Sequence, residues 1–351
     1  MSKGITVGMD MGDRNHRVCE LDAEGEVRTR STVSNTAKAI RKYFGTRERC
    51  RVAIEAGTHS GWVSRILEEL GHEVLVGNPR KLRVIWDSDE KNDERDAEML
   101  ARIARFDPQL LYPIHHRGAK AQADLDVVKA RDILVKVRSM LIAHARGVVK
   151  SAGERIATCS AESFHRRLLA EMPPELQPAL EPVMKSIEDL TGRIRHYDKL
   201  LEKLCTEKYP QTEGLRAIGG VGPVTALAFV LTIEESARFG KSRAVGPFLG
   251  LTPKREQSGQ MDKQLRITKA GDAYLRRLLV GCAQYILGAF GPDCDLRRFG
   301  LKLAARGGKN AKRRAVVAVA RKLAVMMHQL WKSGAAYEPL YQQNRKQEKV
   351  A

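Results

Sequence analysis

Hydrophobic and polar positions alternate with a period of two from Ile5 to Asp10, and His16 to Leu21 and Val27 to Val33 are further short β-prone stretches. Gly, Asp and Glu-Gly turns separate them, which predicts a three-stranded antiparallel meander. Arg51 to Glu55 reads as a fourth strand after a helix, Trp62 to Leu70 as an amphipathic helix ended by Gly71, and Glu73 to Val76 as a further strand. Beyond Tyr112-Pro113 the period changes. Charged and apolar residues interleave at helical spacing from Ala121 to Lys150 and from Leu180 to Lys208, on either side of a break at Met172-Pro173-Pro174. Two long helices of balanced charge fit an antiparallel pair within the chain as well as a dimerising coiled coil. From Tyr209 a smaller helical region begins, with the turn Ile218-Gly219-Gly220-Val221-Gly222 and the apolar helix Val224 to Ile233. The last fourteen residues are polar and are expected to fray.

The order at the start, three strands, helix, strand, helix, strand, is the ribonuclease H arrangement. The fold class expected is therefore an α/β RNase H-like domain over residues 1–120, a helical or coiled-coil linker over 121–208, and a mainly α domain over 209–337 with a helix-hairpin-helix-like motif. A polar tail, 338–351, follows.

Charge sharpens this division. The 351 residues carry a formal net charge of +19, an excess that calls for a polyanionic partner, and nucleic acid is the commonest one. Residues 1–120 hold 21 Lys+Arg against 19 Asp+Glu, residues 121–237 hold 16 against 16, and residues 238–351 hold 24 against 7. The acids that metal chemistry requires thus lie in the first third, and the cations that hold phosphate in the last. The six cysteines (Cys19, Cys50, Cys159, Cys205, Cys282, Cys294) have no zinc-type spacing and read as reduced, mostly buried thiols. No apolar run approaches a membrane span and the N-terminus lacks a signal-peptide pattern, so a cytoplasmic, nucleoid-associated bacterial protein is expected.

Four acids stand out. Asp10 closes the first strand and shares a face with Thr6 and Gly8, while Ile5, Val7 and Met9 share the other. Glu55 closes the fourth strand, a neighbour of the first in an RNase H sheet. On the helical segment that follows, Asp93, Asp96, Leu100 and Ile103 are spaced three, four and three, so both acids are expected to continue the core-facing stripe, whereas Glu94 and Glu98 are not. Carboxylates there would be costly unless a cation paired with them. Two Mg2+ or Mn2+ ions roughly 4 Å apart would supply that, and would clamp the attacking and leaving oxygens of a phosphodiester. Singly, each acid fits an ordinary strand end or a helix N-terminus; together, in this strand order, they point to metal. Asp13, Asp87 and Asp89 are nearby acids that neither strand end nor helix face selects.

Candidate nucleic-acid contacts lie downstream. Gly219, Gly220 and Gly222 before a helix have the form of a helix-hairpin-helix turn, where backbone N–H groups can approach a phosphate. Arg266, Lys269, Arg276 and Arg277 surround an apolar helix, and Lys309, Lys312, Arg313 and Arg314 cluster at the start of another, Ala311 to Trp331. Cations oppose the dipole there, which phosphate would offset. Aromatic residues make up only 5% of the chain, so backbone contact outweighs base stacking.

The stretches GMDMGD, AIEAGTHSGWVSRILEELGHEV, NPRKLR, KNDERDAEMLARIAR, GGVGPVTALAFVLTI, FLGLTPKREQSG, LRITKAGDAYLRRLLV and GGKNAKRRAVVAVARKLA resemble the DEDD transposases of bacterial insertion sequences, the family numbered one hundred and ten, and within it the eleven-eleven group. The resemblance implies a RuvC-like nuclease domain carrying the four acids, a helical linker used in dimerisation, and a transposase domain with a nucleophilic serine. That serine matches Ser258 in Lys254-Arg255-Glu256-Gln257-Ser258-Gly259, which by composition alone is a serine in a Gly-flanked loop. Lys254 and Arg255 would then neutralise the scissile phosphate. The resemblance also implies guidance by a structured RNA encoded by the element, with DNA as substrate and a homodimer that pairs into a tetramer. The expected enzyme is a DNA recombinase whose catalytic residues are Asp10, Glu55, Asp93, Asp96 and Ser258. Its rivals are a hydrolytic junction nuclease using the same acids with water, and a non-enzymatic binder of structured RNA or DNA.

Overall fold

A computed structural model describes residues 4–82, 92–259 and 261–341 of the chain. Two compact units divide it, Met1–Ala119 and Lys120–Ala351. In the first, β1 (Thr6–Met11), β2 (Asn15–Leu21) and β3 (Val27–Ser34) form the antiparallel meander, and β4 (Arg51–Glu55) and β5 (Glu73–Gly77) run parallel to β1. The sheet order is β3-β2-β1-β4-β5. Helices α1 (Ala37–Phe44), α2 (Ser60–Glu69) and α3 (Asp93–Phe106) cover it. This is the α/β sheet expected of an RNase H-like domain.

The sheet's alternation decides what each helix meets. Val7, Met9, Val18, Val52 and Ile54 point to one face and pack with Ile40, Phe44, Val63 and Leu67 of α1 and α2. Cys19, Leu21 and Ala53 point to the other, where they meet Ala97, Leu100, Ala101 and Ala104 of α3. Central strand β1 is buried on both faces from Thr6 to Met9, as a strand sandwiched by helices must be. Gly8 makes the second contact possible: a Cβ there would stand 1.9 Å from the Ala97 carbonyl oxygen and 2.5 Å from the Ala101 nitrogen. The absent side chain lets α3 lie directly on the strand.

In the second unit, α4 (Ala119–Ser151) and α6 (Gln177–Lys203), with α5 (Phe164–Glu171) between them, form an antiparallel pair within the chain. Arg131 donates to Asp198 at 2.5 Å and Arg138 to Thr191 at 3.3 Å. Further along, Ala145 and Val149 pack with Leu180, Met184 and Ile187. The opposite end of the pair belongs to a different core: Leu125, Val128, Leu201 and Cys205 pack with the helices that follow.

Those helices are α7 (Thr212–Arg216), α8 (Pro223–Ile233), α9 (Val245–Phe248), α10 (Ala273–Leu287), α11 (Asp295–Ala304) and α12 (Ala311–Ser333). Apolar on every side, α8 is buried from Thr225 to Ile233 and forms the centre of this core. Between α9 and α10 a ribbon of two antiparallel strands, β6 (Pro253–Ser258) and β7 (Met261–Ile267), interrupts the helices. All six cysteines are free and all but Cys159 are buried. Among the described residues no helix is long and apolar enough to cross a membrane. Most of the polar tail, 342–351, lies outside the described residues.

Candidate active site

Asp10 and Glu55 sit at the same end of adjacent strands. The parallel register pairs Gly8 with Ala53 and Met9 with Ile54, so the next pair along is Asp10 and Glu55. Both fall on the face that α3 covers, because each lies two residues beyond a position packed against that helix, Gly8 and Ala53 respectively. α3 presents its N-terminus, with Asp93, Glu94 and Asp96 in its first turn and Asn92 capping the Glu94 N–H at 3.0 Å. Three acids in one first turn complement the helix dipole. The buried stripe of α3 is Ala97, Leu100, Ala101 and Ala104. Asp96 and Asp93 continue it beyond the core, so Asp96 is half-buried and Asp93 exposed. This corrects the expectation that both acids sit on a buried face, and it removes most of the desolvation cost that burial would carry.

The backbone therefore brings the four acids to one end of one sheet face. Their side chains do not close into a cluster: among the described residues, no group of three or more His, Cys, Asp or Glu is placed to hold a metal ion. Carboxylates held near one another repel unless a cation lies between them. The donors present, oxygen only, suit a hard divalent cation such as Mg2+ or Mn2+. Asp87 and Asp89 lie outside the described residues.

Sequence reasoning passed over two neighbours of these acids. Arg17 is the cross-strand partner of Asp10, bonded to Thr32 Oγ1 at 2.5 Å and 3.9 Å from Glu94. A small cavity of about 100 Å3 lies beside it, lined also by Arg30 and Thr32. Asp13, set aside on sequence grounds, contacts His59 Nε2 at 3.2 Å. Arg17 carries a signal in its strand position opposite Asp10, but that register becomes known only once the β1–β2 turn is fixed. Glu98 is held in a cationic grip, accepting from Arg30 at 2.7 Å and Arg102 at 2.8 Å. The Arg30 bond first, then the Arg102 bond, holds its carboxyl below the ordinary glutamate range.

Ser258 closes β6 and is exposed, like every residue of that strand. It is a strand-end residue, where composition alone gives a loop. Ser258 pairs with Met261 across the ribbon, and Gly259 in the connection adopts φ +56°. Lys254 and Arg255 precede it on the same strand, and Arg255 bonds Asp262 at 3.1 Å.

Comparison with known proteins bears on both units. A family model described as a transposase, of the DEDD kind found in IS110, matches residues 7–153. A second, described as the transposase IS116/IS110/IS902 family, matches residues 212–295. The chain belongs to the IS110 family of insertion-sequence transposases. It is 26% identical over 341 residues to a probable family 20 transposase of Pseudomonas aeruginosa, covering 95% of this chain and 98% of that protein. It is 28% identical over 324 residues to the transposase for insertion sequence element IS1111A of Coxiella burnetii, covering 90% and 86%. The transposase for IS1328 of Yersinia enterocolitica is 25% identical over 288 residues, covering 79% and 82%. Asp10, Glu55, Asp93 and Asp96 fall within the first matched region of this transposase, and Ser258 within the second.

The Gly-rich turn of the transposase joins α7 to α8. Gly220 adopts φ +89° and Gly222 caps α8. A Cβ on Gly219 would meet Pro292 at 2.6 Å, and one on Gly220 would meet Tyr285 at 2.7 Å. The turn borders an open cleft of about 560 Å3, with Arg216, Gly281 and Tyr285 among its other walls. The basic residues divide by what they touch. Arg276 donates to the carbonyls of Leu249 at 3.0 Å and Ala270 at 2.7 Å, and so ties the start of α10 to the preceding turn. Arg277 bonds Asp132 of α4 at 2.6 Å. Arg266 and Lys269 are exposed, and Lys269 adopts φ +54°. Lys309, Lys312, Arg313 and Arg314 are all exposed around the start of α12, whose first turn holds no acid.

Proposed function

We propose that this chain is the recombinase of its own insertion sequence, cutting and rejoining DNA with divalent metal on Asp10, Glu55, Asp93 and Asp96 and with Ser258 as nucleophile. The meeting of two strand ends and one helix N-terminus, all acidic, at one end of the sheet carries the metal assignment. Two ions bound there would stabilise charge on the scissile phosphate and on the leaving oxygen. Ser258 Oγ bonds to phosphorus as one P–O bond to the sugar breaks; the hydroxyl gives up its proton and the leaving sugar oxygen takes one up. The resulting serine phosphodiester conserves the bond energy, so a sugar hydroxyl of another strand reseals the backbone by the reverse step without ATP. Exposure on a ribbon leaves Ser258 open to a duplex. Lys254 and Arg255 offset phosphate charge beside it.

Gly219, Gly220 and Gly222 with the α8 N-terminus, and Lys309, Lys312, Arg313 and Arg314, hold the backbone of nucleic acid in this scheme, with Arg266 and Lys269 beside them. Choice of site falls to a structured RNA encoded by the element. The working form is a homodimer that pairs into a tetramer; the exposed apolar residues Ile133, Val137 and Met140, spaced four and three apart along α4, support self-association. Denaturing gels of protein purified with its RNA, incubated with the element's joined ends and Mg2+, test the scheme. A covalent protein–DNA adduct is expected from the native chain and from neither Ser258→Ala nor Asp10→Asn. Cutting that persists in Ser258→Ala would establish the hydrolytic junction nuclease instead.

A further inference from the structure

The β6–β7 ribbon makes no extensive packing with any other named element among the described residues. Its β6 strand is wholly exposed, and β7 exposes two apolar side chains, Met261 at 67% and Leu265 at 40%. Met261 lies directly across from Ser258, and Glu256 lies across from Lys263. Alternation along β7 puts Met261, Lys263 and Leu265 on one face, and cross-strand partners share a face. Ser258 and Met261 therefore stand side by side at the ribbon tip, their Cβ atoms about 5 Å apart. Lys263 follows on the same face. Glu256 shares that face opposite Lys263, and Lys254, Arg255, Arg266 and Asp262 complete a cationic surplus among the ribbon residues with described side chains.

An apolar side chain two-thirds exposed at the tip of a charged ribbon gains nothing from folding. We propose that Met261 is a positioning residue that wedges between stacked bases of duplex DNA at the step being cut, opening it so that the adjoining phosphate meets Ser258. Two-stranded ribbons enter the grooves of B-DNA, and apolar side chains, Met and Leu among them, part base steps from the minor groove. Met261 adjoins Ser258 across the ladder, so whichever phosphate meets the hydroxyl, the thioether meets the flanking sugar and base. Protein partners would also accept an exposed methionine, but the ribbon's cationic surplus and the family's DNA substrate favour a nucleic-acid stack. The inference rests on Ser258 as the nucleophile, and its test separates the two.

The test uses the full chain with its co-purified RNA and joined element ends that carry 2-aminopurine, placed in turn at positions across the junction. Binding of the native chain is expected to raise fluorescence at one step, the signature of unstacking. Met261→Leu should retain that rise. Met261→Ala and Met261→Gln should abolish it and lower adduct yield on the order of tenfold, equivalent to ~1.4 kcal/mol, with DNA affinity changed less than about twofold because phosphate contacts dominate affinity. Ser258→Ala should keep the fluorescence rise and form no adduct. If it forms the adduct, the nucleophile assignment fails while the fluorescence still reports on Met261. The wedge is overturned if the native chain produces no rise at any position, if Met261→Ala matches the native chain in fluorescence, or if Met261→Ala acts by dissociating the oligomer.

Discussion

Glu98 shows how a single residue beside the acids is fixed by charge. Its carboxylate is only 21% exposed and lies between Arg30 and Arg102, whose hydrogen bonds lower its pKa. A depressed folded pKa stabilises the protein above the unfolded value near 4.3 and loses that contribution as pH falls through the folded value. Glu98→Gln should therefore lower Tm by about 2 °C at pH 7, with the gap from the native protein closing below about pH 4; thermal melts across pH 3 to 8 measure this. An undiminished gap at pH 3 would mean that the amide disturbs packing instead of charge. Asp93 and Asp96 stand in the first turn of α3, where the helix dipole favours negative charge.

At the scale of elements, the contact of α3 with β1 carries the site, because it sets where Asp93 and Asp96 stand relative to Asp10. Gly8→Ala places a methyl inside the van der Waals radius of α3 backbone atoms, which cannot swing aside as a side-chain end can. The expected cost is about 3 kcal/mol, read by urea denaturation, together with loss of metal-dependent adduct formation even where the protein still folds. A fully active Gly8→Ala variant would show that α3 shifts without moving the acids out of register. The long α4–α6 pair obeys a different rule: its pairing is written in Arg131 with Asp198 and in the Ala145–Met184 packing, contacts between residues far apart in sequence. Periodicity alone is equally satisfied by a partner helix from another chain.

Across the whole molecule, charge is sorted by sequence region, with 24 Lys+Arg against 7 Asp+Glu after residue 237. DNA binding should accordingly weaken steeply with salt. Replacing Lys309, Lys312, Arg313 and Arg314 together by Gln should reduce the slope of log affinity against log salt by up to about 3.5, if each holds one phosphate. Filter-binding or fluorescence titration between low and physiological salt measures it, and an unchanged slope would place these four in water. Arg276 is the contrasting case. Sequence grouped it with the phosphate-facing cations, yet its guanidinium donates to the Leu249 and Ala270 carbonyls, a task visible only where the turn before α10 returns past the helix.

Local alternation, helical spacing and composition make legible the order of elements along the chain, Glu55 at the end of β4, Asp10 within one residue of the end of β1 at Met11, the acidic start of α3 and the sorting of charge. Tertiary structure decided the rest: that Gly8 admits α3 to the sheet, that Asp96 is half-buried while Asp93 meets solvent, that the long helices pair within the chain, and that Ser258 ends an exposed strand opposite Met261. Each depends on which distant segments pack together. Packing joins residues that local periodicity cannot relate, since a repeat of two or of 3.6 fixes the face of an element but not its neighbour.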